Sequence, residues 1–343
     1  MTQRLNAGII GLGVMGNAAF ERFGCHPQVD IVAITEFNAQ RLNALGDREA
    51  IAARYTDPLA MLAAHELDIV YVASPNRFHA EQTIAALEQG AHVICEKPMA
   101  MTVADGRRMV ETAARLDRRL MINFQMRLRE GIPALHRMIT RGELGDIYYV
   151  RSNWIRRDGL PGFGGWFGSR EHSGGGPVID LGVHMLDLAL WFMGHPNPTW
   201  IMASTKNAIA GELAKQQGMV FDVEDFGCAM IKFDNGATLD LTTSWTSHIA
   251  DEELMRTEVL GTRGGIRHTW GDGEFFTTRD GQQLDTRIVK TSGPPNTLHY
   301  FADCILTDEP HIATGQEGLR VMEIIEAFYK SAESGRPLSL AGA

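Results

Sequence analysis

The 343-residue chain is 44% hydrophobic and 22% charged, ordinary proportions for a globular protein, and it is long enough for two domains that each bury a core. Its 32 Lys and Arg against 42 Asp and Glu leave a formal net charge of −10 without any long basic run, which argues against a nucleic-acid partner and for a small neutral or weakly charged ligand. No apolar stretch approaches 18 uninterrupted residues and the polar start Met1–Asn6 has no secretory character, so no membrane partner is expected and the location read is cytoplasmic.

Residues 1–123 alternate two rhythms. Leu5–Ile10, Asp30–Thr35, Asp68–Ala73, His92–Glu96 and Leu120–Asn123 read as strands, and Met15–Phe23, Asn38–Leu45, Pro58–Ala64, Asn76–Gln89 and Val103–Leu116 as the helices between them. Near-continuous apolar strands separated by helices imply a parallel sheet covered on both faces, a doubly wound α/β domain. After Phe124 comes a helix near Ile132–Thr140, a strand at Ile147–Ile155, a glycine-rich loop and a strongly apolar helix. Thr199–Val289 then reads as a β-meander, with Asn235-Gly236 and Asp280-Gly281 as type I′ hairpin turns. Helices at Thr297–Leu306 and Glu317–Ser334 close the chain. The expectation is a dinucleotide-binding domain over 1–124 and an α+β domain over 125–343 with a large, mostly antiparallel open sheet. Cys25, Cys95, Cys228 and Cys304 are scattered without a CxxC, which suits reduced structural thiols.

"AGIIGLGVMGNAAF" places a glycine fingerprint between the first strand and the first helix. Gly11 permits a tight turn, Gly13 lets a pyrophosphate approach the backbone, and Gly16 lets helix and strand pack closely. Val14 and Met15, between them, open a helix whose N–H groups face the phosphates. Glu36 ends the second strand, 20 positions after Gly16. A carboxylate there accepts hydrogen bonds from both ribose hydroxyls and repels a 2′-phosphate, so NAD is expected over NADP; the alternative is an exposed loop glutamate. In "VASPNRFH", Asn76 reads as the cap of the next helix and as part of a loop over the nicotinamide ribose. "HVICEKPMAM" ends the next strand, and Lys97 is either a surface charge paired with Glu96 or an ammonium aimed at the site.

"GGGPVIDLGVHMLDL", residues 174–188, interrupts a helix apolar nearly all round with Asp180, His184 and Asp187. At about 100° per residue these three fall within roughly 60°, one polar stripe. An ionisable stripe faces water, a partner or a ligand. An exposed Asp–His pair and a three-ligand metal site are both open from spacing alone.

In order and at matching separations, "GIIGLGVMG", "ASPNRFH", "EKP" and "GGGPVIDLGVHMLDLALWFMG" make the whole chain resemble the glucose–fructose oxidoreductase / inositol dehydrogenase / MocA (Gfo/Idh/MocA) family of nicotinamide-dependent oxidoreductases. The resemblance implies a Rossmann domain, a second α/β domain whose open sheet builds a homodimer or homotetramer, and a carbohydrate or inositol-like polyol as substrate. It implies Lys97 as the catalytic lysine and Asp180 with His184 as the Asp–x₃–His pair. Ser74, Asn76 and His79 match the cofactor loop, beside Glu96 and Lys97, and Pro98 is expected cis. His184, with an ordinary imidazole value of about 6.5, suits a general base in oxidation and a general acid in reduction. Lys97 would keep that imidazole neutral and polarise the substrate oxygen, and Asp180 would hold a substrate hydroxyl. Asp187 is read as structural, and no metal is expected, because hydride transfer to nicotinamide needs none. Met126 and Arg127 stand where relatives carry arginines and are candidate substrate contacts, as are Trp154, Arg156, Asp158 and Trp166 around the loop that follows. Aromatic faces beside polar side chains suit a sugar ring, although for any single aromatic, packing between domains or subunits is the stronger reading. Two other readings keep the fold: a glycosidase working by transient oxidation and elimination, and a non-catalytic NAD sensor, which would not need the Lys97, Asp180 and His184 set.

Overall fold

The computed structural model describes residues 3–288 and 294–340. In chain order its first elements are β1 (Leu5–Ile10), α1 (Val14–Gly24), β2 (Val29–Thr35), α2 (Ala39–Arg48), β3 (Ala53–Tyr55), α3 (Pro58–Ala64), β4 (Ile69–Val72), α4 (His79–Glu88), β5 (His92–Cys95), α5 (Val103–Arg115) and β6 (Leu120–Ile122). The strands form one all-parallel sheet, β3-β2-β1-β4-β5-β6, the doubly wound order that the alternation predicts. Local chemistry starts the helices: Asn38 caps α2, Asp57 with Pro58 behind it opens α3, and Thr102 caps α5. All of β4 is buried, as a strand covered on both faces must be. Strand β3 is not legible in the sequence, because its three residues are too few to carry a period.

Next come α6 (Ile132–Thr140), β7 (Ile147–Arg156), α7 (Arg170–Ser173), α8 (Val183–Met193), β8 (Pro198–Lys206), α9 (Ala210–Gln216), β9 (Phe226–Phe233), β10 (Thr238–Ser244), β11 (Glu253–Gly261), β12 (Gly264–Thr269), β13 (Asp272–Arg279) and β14 (Gln282–Ile288). The chain ends with α10 (Thr297–Leu306), α11 (Gly315–Ser334) and β15 (Leu338–Ser339). A nine-stranded sheet runs β14-β13-β12-β11-β7-β10-β9-β8-β15, antiparallel throughout except for the β7–β10 pair. That exception sets the carboxyl ends of two central strands side by side. Helix α9 interrupts the meander expected from Thr199, and the meander's last residue, Val289, lies outside the described residues.

The two hairpin turns differ. Asp280 and Gly281 both have positive φ, +50° and +76°, and join Arg279 directly to Gln282, as a type I′ turn requires. The Asn235-Gly236 turn corrects the expectation. Only Gly236 is left-handed (+86°), and Phe233 and Ala237 bond across a three-residue loop, Asp234 to Gly236. The glycine closes a bulge here instead of completing a two-residue turn.

By proximity the chain divides into two units. One holds the chain up to Gln125 together with Pro294–Met322; the other runs from Met126 and resumes at Glu323. The return of Pro294–Met322 to the first unit has local causes. Thr314 bridges to Met121 beside β6, the Thr297 hydroxyl donates to Asn123 Oδ1 at 2.5 Å, and a Cβ on Gly318 would stand 2.6 Å from Ile122. Cys25, Cys95, Cys228 and Cys304 are all free thiols. The segment Arg170–Met193 is long and apolar enough to cross a membrane by composition, but 89% of its most apolar window is buried inside the fold.

Candidate functional site

In the first unit the fingerprint glycines have distinct jobs. Gly11 adopts φ +88°, and a Cβ there would stand 2.7 Å from the Ala73 carbonyl and the Ser74 nitrogen. A Cβ on Gly16 would lie 1.8 Å from the Gly11 oxygen. Gly13 faces open space instead, with no atom within 4 Å of where a Cβ would be. Helix α1 follows without a side-chain cap, and Val14 is 87% exposed. Uncapped N–H groups beside an open glycine fit a pyrophosphate, and Val14 and Met15 lie in that first turn.

Glu36 is buried and tied to the fingerprint. Its Oε2 accepts the Leu12 N–H at 2.9 Å, its Oε1 accepts the Asn38 N–H at 3.0 Å, and Arg41 approaches Oε2 at 3.4 Å. Beside it, half-exposed Phe37 packs on Phe78 with ring centroids 5.3 Å apart, a surface that the sequence reading passed over.

The loop after β4 departs from one expectation. Asn76 opens a 3₁₀ turn (Asn76–Phe78), and α4 starts at His79 with no side-chain cap, so Asn76 is not the cap of that helix. The Ser74 hydroxyl donates to Gln82 at 2.6 Å. His79 is buried with both ring nitrogens 2.7 Å from carbonyl oxygens, those of Ser74 and Pro98. Burial pulls its imidazole below the ordinary value while the two carbonyls pull the other way. Its ring therefore braces two loops, a commitment that leaves it little surface for a ligand.

The Lys97–Pro98 peptide is cis, as the resemblance implies. The buried Glu96 carboxylate receives the Tyr71 hydroxyl, the Asn123 amide at 2.5 Å and the Lys97 backbone N–H at 3.3 Å. Burial and the Glu96 charge push the Tyr71 phenol well up. The carboxyl ends of β4, β5 and β6 are thus pinned to one another directly under the Lys97 backbone, whose side chain is half-buried.

Among the described residues, His26, His299 and Asp303 come close enough together to suggest a cation. Their bonding argues otherwise. His26 Nδ1 accepts the Gln28 N–H at 3.1 Å, so a neutral ring carries its proton on Nε2 and gives it to Asp303 at 3.1 Å. A metal ligand needs that nitrogen bare.

In the second unit the helix of the "GGGPVIDLGVHMLDL" stretch is not regular. Val178–Gly182 is a π-turn that leads into α8. The extra residue breaks the 100° arithmetic for Asp180 alone, since His184 and Asp187 both lie in regular α8, and the three side chains meet three different environments. Asp180, partly exposed, accepts the Trp245 indole N–H at 2.9 Å. His184 is 4% exposed, with the Trp154 ring centred 5.9 Å away at 38°. Asp187 is fully buried and receives Arg127 in a two-pronged pair, Nε to Oδ2 at 3.0 Å and Nη2 to Oδ1 at 2.6 Å.

That pair corrects the reading of Arg127 as a substrate contact. Its side chain has no exposed surface, and the guanidinium is committed to Asp187 with Trp191 5.3 Å away. Asp187 is the structural carboxylate the sequence suggested, and Met126 beside it is 2% exposed, a core residue.

The glycines before the π-turn are required by groups that sequence reading missed. A Cβ on Gly175 would stand 2.0 Å from the Tyr329 hydroxyl, and one on Gly176 would stand 1.9 Å from the Glu224 carbonyl. The buried Glu224 carboxylate then accepts the Gly176 N–H at 2.9 Å, the Val178 N–H at 3.2 Å and the Tyr329 hydroxyl at 2.8 Å. Burial raises Glu224 above the usual carboxylate range despite these donors. Two adjacent glycines ahead of an apolar helix were the one available signal that something packs there.

The remaining candidates gather where β7 and β10 end together. Trp154 is buried and donates its indole N–H to Glu253 at 2.7 Å, and Arg156 donates to the same carboxylate at 2.7 Å. Glu253, absent from the sequence reading, is held below its usual value by these donors against its partial burial. Asp158 is exposed and bridges to Thr246. Trp166 opens a 3₁₀ turn in the glycine-rich loop and stacks on Phe167 with centroids 3.9 Å apart.

Two family models match nearly the whole chain: "Oxidoreductase family, NAD-binding Rossmann fold" over residues 5–124 and "Oxidoreductase family, C-terminal alpha/beta domain" over 136–340. The chain belongs to the Gfo/Idh/MocA family. As a member it is an oxidoreductase with a nicotinamide-dinucleotide-binding first domain, into which the open Gly13, uncapped α1 and anchored Glu36 fit. This Gfo/Idh/MocA chain is similar to the D-glucoside 3-dehydrogenase of Escherichia coli (strain K12), 32% identical over 98% of this chain and 97% of that one. It is also similar to a D-apiose dehydrogenase of Paraburkholderia graminis, 27% identical over 98% and 90%. Among solved structures, the aldose-aldose oxidoreductase of Caulobacter crescentus complexed with glycerol matches with a TM-score of 0.84 at 26% identity, covering 98% of this chain and 100% of that one. Levoglucosan dehydrogenase complexed with NADH shares the fold, with a TM-score of 0.86 at 22% identity over 99% and 100%.

Proposed function

We propose that this enzyme oxidises a secondary hydroxyl of a neutral sugar or glycoside and passes the hydride to NAD. The observation that carries the reading is end-to-end similarity to an enzyme named as a D-glucoside 3-dehydrogenase, so the C3 hydroxyl of a glucoside is the first substrate to test. The bound nicotinamide supplies the hydride acceptor. Gly11, Gly13, Val14, Met15 and Gly16 hold the pyrophosphate, Glu36 the adenosine ribose, and Ser74, Asn76 and the backbone at Glu96 and Lys97 the nicotinamide ribose. His184 takes the hydroxyl proton, Lys97 polarises the oxygen that loses it, and Asp180 holds a neighbouring hydroxyl. Arg156, Asp158 and Trp166 meet the rest of the sugar, with Trp154 behind His184. The Glu36 carboxylate, fixed by two backbone N–H groups, supports NAD over NADP because a 2′-phosphate would meet a held negative charge.

We extend the proposal to a homo-oligomer built through the nine-stranded sheet, one face of which exposes Met202, Met230 and Leu260.

The test is a panel of glucosides, free sugars and inositols with NAD⁺ and NADP⁺, followed by absorbance of the reduced cofactor. Lys97→Ala and His184→Ala each lower kcat/KM by about 10²–10⁴-fold while the protein stays folded, and Glu36→Ala lowers the preference for NAD⁺ about tenfold or more. Full turnover in both of the first two variants would overturn the assigned roles.

A further inference from the structure

We infer that Trp245 is a positioning residue: it sets the direction in which Asp180 presents its carboxylate to a sugar hydroxyl. The inference rests on the proposed function and adds a residue to it.

Asp180 sits in the middle of the π-turn Val178–Gly182, a single irregular turn that does not by itself fix a side chain as a regular helix does. An indole holds one of its oxygens. Trp245 Nε1 donates to Asp180 Oδ2 at 2.9 Å, a charge-assisted bond. Trp245 itself has nowhere to move. It is 1% exposed, Phe167 and Phe221 pack on it edge to face with ring centroids 6.4 and 6.2 Å from its own, and its backbone N–H donates to the Asp225 carbonyl at 3.1 Å. With two rotatable bonds and a fixed backbone, the ring aims its N–H in one direction. One carboxylate oxygen is thereby held, and the orientation of the other follows.

The topology explains why a tryptophan can reach. Trp245 is the first residue after β10, and β10 runs parallel to β7, so both strands deliver indoles at the same sheet end. The β7 indole, Trp154, lies against His184, and the β10 indole holds Asp180. An antiparallel pair would have sent one of them to the far edge.

The experiment compares wild type, Trp245→Phe, Asp180→Ala and the double variant in steady-state oxidation of the best sugar from the panel. Trp245→Phe keeps a buried ring and deletes the donor. Its KM for the sugar rises about tenfold, the worth of one hydrogen bond to a charged group, with the NAD⁺ affinity from calorimetry unchanged. In the Asp180→Ala background the same replacement adds no further loss, because a residue that acts through Asp180 has nothing left to act on. Losses that multiply in the double variant, or a single variant with wild-type KM, overturn the inference. If Phe at 245 does not fold, β-(3-benzothienyl)alanine placed there by codon suppression keeps the shape of the indole with sulfur in place of N–H, and must give the same pattern. Inactive wild type on every sugar would sink the proposed function instead, and undiminished Asp180→Ala would remove Asp180 from it.

Discussion

The buried Arg127–Asp187 pair offers the sharpest test of how the second unit is held together. Replacing Arg127 by Met keeps an apolar side chain of similar reach and leaves the Asp187 carboxylate at zero exposure without its cation. Removing one partner of such a pair costs about 3–5 kcal/mol, because the remaining charge stays buried and loses its two-pronged counter-ion. That is a fifth or more of a typical domain's stability of about 5–15 kcal/mol. Adding Asp187→Leu removes the stranded charge, and the double variant should recover most of the loss. Urea unfolding followed by circular dichroism measures both, and turnover of the folded fraction is recorded alongside. A single variant that loses less than about 1 kcal/mol but loses sugar turnover would refute the reasoning and return Arg127 to the substrate.

Two further predictions follow from the same structure. Gly176→Ala drives a methyl into the Glu224 carbonyl and should cost about 1–3 kcal/mol together with activity, whereas Gly165→Ala, with open space around it, should leave the melting temperature unchanged. His268 is 1% exposed, and burial with help from the Arg129 charge lowers its imidazole to about 4. Unfolded, the ring titrates near 6.5, so between those values the unfolded chain binds more protons. Stability therefore falls as pH drops from about 6.5 to 4, by up to about 3 kcal/mol. His268→Gln should flatten that part of the stability–pH curve, and an unchanged slope would contradict the assignment.

The first unit was legible because its signals are local. Leu5–Ile10 is a buried strand by composition, Gly11 and Gly16 are glycines that neighbouring backbone demands, and Asp57-Pro58 and Thr102 start helices where they stand. What escaped was set by distant partners. No pattern near residue 180 announces that a π-turn replaces regular helix there, because its anchors, Glu224 and Tyr329, come from β9's approach and from α11. Trp245 and Glu253 carry no motif, since Trp245 matters through one bond and Glu253 through two, all made at the sheet end with partners that local sequence does not announce. Arg127 was misjudged for a related reason: an arginine next to a strand's carboxyl end looks the same in sequence whether it meets solvent or a buried aspartate.

The discontinuous first unit bears on how the protein is made. Thr297 and Thr314, which tie down Asn123 and Met121, leave the ribosome only after the whole nine-stranded sheet except β15 has been synthesised. A nascent dinucleotide-binding half must therefore wait, incompletely braced, while a later half is built. Stopping translation near residue 124 would release an orphan, not a module.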